Sequence, residues 1–557
     1  MSRNDSRKDT TEWWVWAGAA LILLLVAVIR IRLLNLPLER DEGEYAYIGQ
    51  LLLQGVAPFK LAYTMKLPGT PAAYALIMAF FGQSSAGIHL GLLLFNAATV
   101  YFIYLLAKKL LGIQGALIAA VTYAVMSVSP GVFGLSAHAT QFVAFFATAG
   151  LFSFLRAAES RRAANFFLSG LLLGLAFMMK QPGLFFSAMG VFLIVWFEIQ
   201  VLKVPHYVRK PPFNWQRCGS RLAIFLSGVF LPFGLTCLLL AWAGVFGRFW
   251  FWVFTCASAY GGRVPGSLGA NLLFNYFGGG SGPDVIFWLL AGFAIAMMLF
   301  DRRPGDRKVI LLTFLAVSII AVCPGFYFRY HYFVLALPAV ALLVGYCVTL
   351  LCGGVGKAGY GPNAQTIPAM ALFFICAIAL ASRADVLLKD SPAEASHAMF
   401  GTDNPFAESP EIARYIRDHT GKDDKIAVIG SEPQICFYSR RHSATGYIYT
   451  YSLMEPTPLA DGMQKEMMRE IEIAKPAMLV LVKLPLSWLQ TEESETNVLD
   501  WRDKFCRDFY DYRGVINFST NAPAEFHWSN DCARYIPEDG QYIGVLQRKP
   551  APQASVR

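Results

Sequence analysis

The sequence predicts an all-α polytopic membrane bundle of about eleven helices followed by a C-terminal extracytoplasmic α/β domain. Three observations predict it. The chain is 55% hydrophobic and only 15% charged, against roughly 25% charge in soluble domains, and its mean hydropathy is +0.45. Apolar runs of spanning or near-spanning length repeat through residues 1–382, whereas 383–557 has ordinary soluble composition. Lys and Arg favour alternate joints between the runs, as the positive-inside rule requires.

The runs fall at 13–35, 87–111, 113–131, 138–156, 164–180, 182–199, 222–245, 285–300, 309–324, 333–352 and 366–382. The first is too long for the apolar core of a signal peptide and reads as a retained span. Residues 68–82 (PGTPAAYALIMAFFG) are apolar but short and opened by two prolines, which suits a membrane-hugging or re-entrant segment. With the N-terminus inside, the cytoplasmic joints hold Arg3, Arg7, Lys8, Lys108, Lys109, Arg156, Arg161, Arg162, Lys203, Arg209, Lys210, Arg217, Arg221, Arg302, Arg303, Arg307, Lys308 and Lys357. The outer ones hold Arg40, Lys60, Lys66, Lys180, Arg248, Arg263 and Arg329. That bias is about eighteen to seven, and an odd number of spans sends the C-terminal domain outside.

Two outer joints, 36–86 and 246–284, are long enough to be functional. The second is rich in Gly and aromatics (FGRFWFWVFTCASAYGG), which suit both an interfacial belt and contact with a lipid or sugar. In 383–557, SPEIARYIRDHT has a helix-start pattern, with Ser409 as N-cap and Pro410 at the first position. KIAVIG, MLVLVKL and QYIGVLQRK suit buried strands, and a helix near 462–475 separates two of them. No GxGxxG follows a strand, so nothing supports a nucleotide site. The ten cysteines show no metal-site spacing; Cys506 and Cys532 fit a disulfide and two free thiols equally well. The net charge of +9 resides mostly in the short joints and no basic block interleaves with stacking aromatics, which excludes nucleic acid as a partner.

The chemistry concentrates in RDEGEYAYIGQLLLQGVAPFKLAYTMKLPG, residues 40–69. Ionisable groups beside hydrocarbon are costly and therefore mark function. On a short helix, Asp41 and Glu44 are neighbours at i, i+3, as are Glu42 and Tyr45. A carboxylate there suits a general base for an acceptor hydroxyl or amine, and equally a solvated acidic helix start. Lys66 ends the same loop and Arg329 lies in FYFRYHYF, flanked by Tyr330 and His331; Lys180 ends a span in MMKQPG. Such cations can meet a departing phosphate or snorkel to headgroups. His138 and Gln141, in SAHATQF, can hydrogen-bond a sugar or merely cap a helix.

The pattern DE-x-x-Y-A-x-I followed by K-x-P-G resembles bacterial members of the protein O-mannosyltransferase superfamily, which includes the lipid A aminoarabinose transferases and has the GT-C fold. GLLLGLAFMMKQPG, FRYHYFVLALPAVALL and the tail ESPEIARYIRDHTGKDDKIAVIGSEPQICFYSRRHSATGYIY are similar to later segments of that family. The resemblance implies a bacterial inner-membrane glycosyltransferase with a cytoplasmic N-terminus. Its donor would be a sugar on a polyprenyl phosphate, its acceptor an extracytoplasmic lipid, glycan or protein, and transfer would be inverting. It assigns catalysis to Asp41 with Glu42 beside it, and the donor phosphate to Lys66 and Arg329. Relatives carry an acidic residue where this chain offers His138 and Gln141. No nucleotide or soluble cofactor is implied; a divalent metal ion is an option. A glycan ligase or polymerase on the same fold, and a transporter or flippase, are the rival expectations.

Overall fold

The computed structural model describes residues 13–201, 213–262, 264–301, 305–359, 362–519, 522–538 and 540–550. All eleven apolar runs contain helix. Among the described residues, seven helices are by themselves long and apolar enough to cross a membrane: Trp13–Arg32, Ser85–Leu111, Ala139–Ser160, Gln181–Gln200, Trp215–Trp242, Leu337–Gly356 and Ala364–Ala381. An eighth span arises if Gly266–Gly279 and Gly282–Met298, bent by 94°, count as one. The other runs form shorter or more charged helices, Ile113–Met126, Ala163–Met179 and Gly305–Val322. Of the cations behind the charge asymmetry, Arg3, Arg7, Lys8, Lys203, Arg209, Lys210, Arg263, Arg302 and Arg303 lie outside the described residues.

The chain divides into two compact units. The first comprises Met1–Leu33, His89–Cys237 and Val264–Lys389. Its helices approach closely where glycine removes the side chain: a Cβ on Gly170 or Gly174 would lie 2.0 Å from the Phe225 carbonyl oxygen or 2.3 Å from that of Val229, the small-residue packing that membranes favour. Buried charge meets partners within the unit. The Arg30 guanidinium donates to the Ser127 carbonyl at 2.6 Å and the Gly134 carbonyl at 3.2 Å, beside the end of Ile113–Met126 where carbonyls lack helical partners. Arg383 pairs with Asp284 at 2.9 Å.

The second unit comprises Leu34–Ile88, Leu238–Arg263 and Asp390–Arg557. Its strands are β1 (Lys425–Ile429), β2 (His442–Ser443), β3 (Met478–Lys483), β4 (Tyr510–Ser519), β5 (Ala522–Trp528) and β6 (Tyr542–Arg548). They form one sheet in the order β2-β1-β3-β6-β4-β5. β1 runs parallel to β2 and β3, and the remaining pairs are antiparallel. The apolar runs KIAVI and MLVLV are buried almost throughout, as covered parallel strands require. QYIGVLQRK, last in sequence, sits inside the sheet between β3 and β4.

One detail differs from the sequence expectation, and one open alternative is decided. Ser409 is the first residue of the helix Ser409–Asp418 rather than its N-cap; Glu408 holds that position, without a side-chain capping bond. The Ser409 hydroxyl donates instead to the Pro405 carbonyl at 2.6 Å and accepts from Gln434 Nε2 at 3.1 Å, so it cannot serve the helix start. Cys506 and Cys532 are both free, buried thiols rather than a disulfide, and burial pushes the Cys506 thiol up to about 12.

The joint 36–86 is not an open loop: it folds into the helices Arg40–Leu53 and Gly69–Phe81. The first lies against the helix Pro433–Ser439, so closely that a Cβ on Gly43 would sit 2.6 Å from the Gln434 backbone nitrogen. Arg40 pins its start. Its guanidinium donates to the Ser431 carbonyl and Glu432 Oε1, each at 2.6 Å, to the Tyr451 hydroxyl at 2.8 Å and to Asn404 Oδ1 at 3.3 Å. Removing one partner of such a pair leaves a buried charge, at about 3–5 kcal/mol. Arg40→Met should therefore lower the thermal unfolding midpoint of the detergent-purified protein, and Arg40→Met combined with Glu432→Gln should recover much of the loss. Equal midpoints for wild type and the single variant would refute the anchoring role.

Candidate functional site

The helix Arg40–Leu53 starts in a capping box: Glu42 N–H donates to Glu39 Oε1 at 2.7 Å, and Glu39 N–H donates to Glu42 Oε2 at 3.3 Å. Glu42, fully buried, is thereby turned back toward the cap. Asp41 and Glu44, three apart, share a helix face, and Lys66 bridges them. Its Nζ lies 2.7 Å from Asp41 Oδ1 and 2.5 Å from Glu44 Oε2. The ammonium also lies over two rings, 4.5 Å from the centre of Tyr45 and 5.3 Å from that of Tyr449. The Tyr449 hydroxyl donates to Asp41 Oδ1 at 3.2 Å. The side chains of Lys66 and Asp41 are 28% and 13% exposed, that of Glu44 only 2%.

Burial dominates the electrostatics. It raises the Glu44 carboxyl, which Lys66 then lowers and Asp41 raises, leaving it above the usual glutamate range. Glu39 is held well above that range by burial and by the neighbouring charges of Asp41 and Glu42. For Lys66, burial works downward, but the Asp41 and Glu44 carboxylates outweigh it and hold the ammonium well above its ordinary value. One ammonium thus faces two carboxylates, a cluster able to hold a proton, accept one, or offer a cation to an anionic group.

In the first unit, His138 and His331 stack with ring centres 4.1 Å apart and 11° between planes, both buried. Their imidazole nitrogens are of the kind that ligates a divalent ion. Tyr330 packs against Phe133 at 5.3 Å. Gln141 Nε2 donates to the Gly134 carbonyl at 3.1 Å, a local structural bond. Lys180 lies 3.9 Å over the Tyr332 ring, and Arg329 5.6 Å from the centre of the Tyr327 ring. Asp41, Glu44, Tyr45 and Lys66 therefore converge in the second unit, and His138 with His331 in the first.

Tyr449 escaped the sequence reading. The signal was present as the alternation Tyr447, Tyr449, Tyr451 in GYIYTY: residues two apart in extended chain share a face, and a polar aromatic on each pointed to a built surface.

Residues 66–208 match the family model described as dolichyl-phosphate-mannose-protein mannosyltransferase. The match opens at Lys66 and takes in His138, Gln141 and Lys180; Asp41 and Arg329 lie outside it. No curated protein sequence matches the chain. ArnT from Cupriavidus metallidurans, solved bound to undecaprenyl phosphate, is similar with a TM-score of 0.54 at 16% identity, over 85% of this chain and 94% of that one. The Archaeoglobus fulgidus oligosaccharyltransferase tethered with an acceptor peptide gives 0.51 at 13% identity, over 97% and 76%. AglB from the same organism, with an inhibitory peptide and a dolichol-phosphate, gives 0.50 at 14% identity, over 97% and 77%. The chain has the GT-C fold of a multi-pass membrane protein, and the family model agrees with the resemblance carried by its motifs.

The raised Glu44 carboxyl makes a signed prediction. The native state holds the Glu44 proton more tightly than the unfolded chain, so this group favours the fold at low pH. Its contribution is lost as pH rises from the ordinary glutamate value through the raised one. Glu44→Gln should flatten that decline when unfolding midpoints are compared across pH 4–8. A wild-type-minus-variant difference that does not vary with pH would rule this out.

Proposed function

We propose that this chain is an inverting glycosyltransferase that moves a sugar from a polyprenyl phosphate to an extracytoplasmic acceptor. The observation that carries the reading is the meeting of Asp41 and Lys66 at 2.7 Å: a carboxylate and an ammonium, 25 residues apart in sequence, beside a family match that starts at Lys66. The motif resemblance and the GT-C fold support it.

In this reaction the acceptor O–H or N–H gives its proton to the Asp41 carboxylate, and the freed lone pair attacks the anomeric carbon from the face opposite the phosphate. The anomeric C–O bond breaks, its electron pair stays on the phosphate oxygen, and Lys66 neutralises the polyprenyl phosphate that leaves. Arg329 and Lys180 are the further cations assigned to the donor phosphate. Glu44, Tyr45, Tyr330, His331, His138 and Gln141 are assigned to substrate contact, and Glu42 to the support of Asp41. A divalent ion on His138 and His331 is compatible with this scheme, which routes no step through it. The protein sits in a bacterial inner membrane with its C-terminal domain outside. A ligase or polymerase of lipid-linked glycans would use the same two groups, and the mass of the product distinguishes them.

General-base catalysis contributes about 10²–10⁴ in rate. Asp41→Asn should abolish transfer, read by mass spectrometry of envelope lipids and glycoproteins, while membrane insertion and undecaprenyl phosphate binding persist. Lys66→Met should weaken that binding. Normal transfer by Asp41→Asn would overturn the base assignment.

A further inference from the structure

We infer that Tyr449 is a positioning residue for Asp41, so that the polar segment after the bundle supplies part of the reacting machinery. The inference rests on the transferase reading above and gives a role to a residue to which the motif resemblance assigns none; Tyr449 lies outside residues 66–208 of the family match.

Three observations converge. First, the Tyr449 hydroxyl donates to the same Asp41 oxygen, Oδ1, that receives the Lys66 ammonium. Two donors on one oxygen fix both the rotamer of the carboxylate and the plane in which it faces a reactant, and a base must be held to within about 0.5 Å to work. Second, the Tyr449 ring lies 5.3 Å from Lys66 Nζ, with the Tyr45 ring 4.5 Å from it. The two rings flank the ammonium and limit where it can swing when it leaves a carboxylate for a phosphate. Third, Tyr449 is itself held. Its ring meets the Tyr451 ring edge-on at 4.8 Å. The Tyr451 hydroxyl donates to the Leu486 carbonyl at 2.7 Å and accepts from Arg40 Nη1 at 2.8 Å. Arg40 directly precedes Asp41, so the same contacts that seat the helix start also seat the tyrosine facing it. Tyr449 is half-buried, whereas Tyr447 and Tyr451 are buried; of the three alternating tyrosines it alone keeps part of its surface at the reacting carboxylate.

The test compares the full-length detergent-purified protein with Tyr449→Phe, which keeps the ring and deletes the hydroxyl, and with Tyr449→Ala. Carbodiimide labelling of Asp41, read by peptide mass spectrometry, needs no substrate. Loss of one hydrogen bond to a charged group is worth about tenfold, and labelling of Asp41 in Tyr449→Phe should rise by about that factor at an unchanged unfolding midpoint. In native membranes, release of undecaprenyl phosphate from lipid-linked sugar should show kcat down about tenfold with KM unchanged for Tyr449→Phe, and a further loss for Tyr449→Ala. Unchanged labelling, or full kcat in Tyr449→Phe, overturns the inference. Raised labelling in a protein whose wild type releases no undecaprenyl phosphate sinks the transferase reading and leaves the hold of Tyr449 on Asp41 standing.

Discussion

The arrangement around Asp41 depends on the buried pair of Arg40 and Glu432. A guanidinium taken out of water is tolerated only when its donors are satisfied, and here they are spent on groups 364 to 411 positions away: Asn404, Ser431, Glu432 and Tyr451. The helix start therefore cannot slide or rotate without stranding a charge. Gly43 enforces the same register sterically, since its backbone meets that of Gln434 where no side chain would fit. Charge and volume together set where Asp41 stands, one residue along from the anchor. The first outer joint and the soluble-looking tail are thus one piece of structure, although the sequence separates them by the bundle.

Within that frame Lys66 is the shared element. Its ammonium serves two carboxylates at once, an excess of negative over positive charge in a mostly buried place. Such a cluster favours any conformation or ligand that redistributes the cation. Lysine suits the task better than arginine: three rotatable donors on a flexible stem can transfer from carboxylate to phosphate without the planar match that a guanidinium fork demands. Glu44, nearly sealed from solvent, holds the ammonium from one side and Asp41 from the other.

Much of this was legible from residues alone. The eleven apolar runs, the strands KIAVI, MLVLV and YIGVLQR, and the i, i+3 pairing of Asp41 with Glu44 follow from period, length and composition. What was not legible has physical reasons. β4 and β5 interleave polar and apolar residues through a bulged pairing, without the unbroken apolar run that marks a buried strand. Ser409 looked like a cap because hydroxyls favour helix starts, but a carbonyl four residues back claimed it. The packing of the helix Arg40–Leu53 against Pro433–Ser439 comes from long-range contacts, which no local pattern encodes. The domain boundary read at 382 followed composition, whereas compactness groups 34–88 and 238–263 with the tail.

Charge balance and access separate the Asp41 cluster from the sealed ion pairs elsewhere among the described residues. Arg383 with Asp284, at 9% and 2% side-chain exposure, and Arg40 with Glu432, at 8% and 0%, are one-to-one and sealed. A matched pair of this kind resists change, because moving either partner strands the other. At Asp41 the count is two carboxylates to one ammonium, and both Lys66 and Asp41 retain solvent contact. Buried charge elsewhere in the described bundle closes on carbonyls and counter-ions within its own unit, as Arg30 does on Ser127 and Gly134.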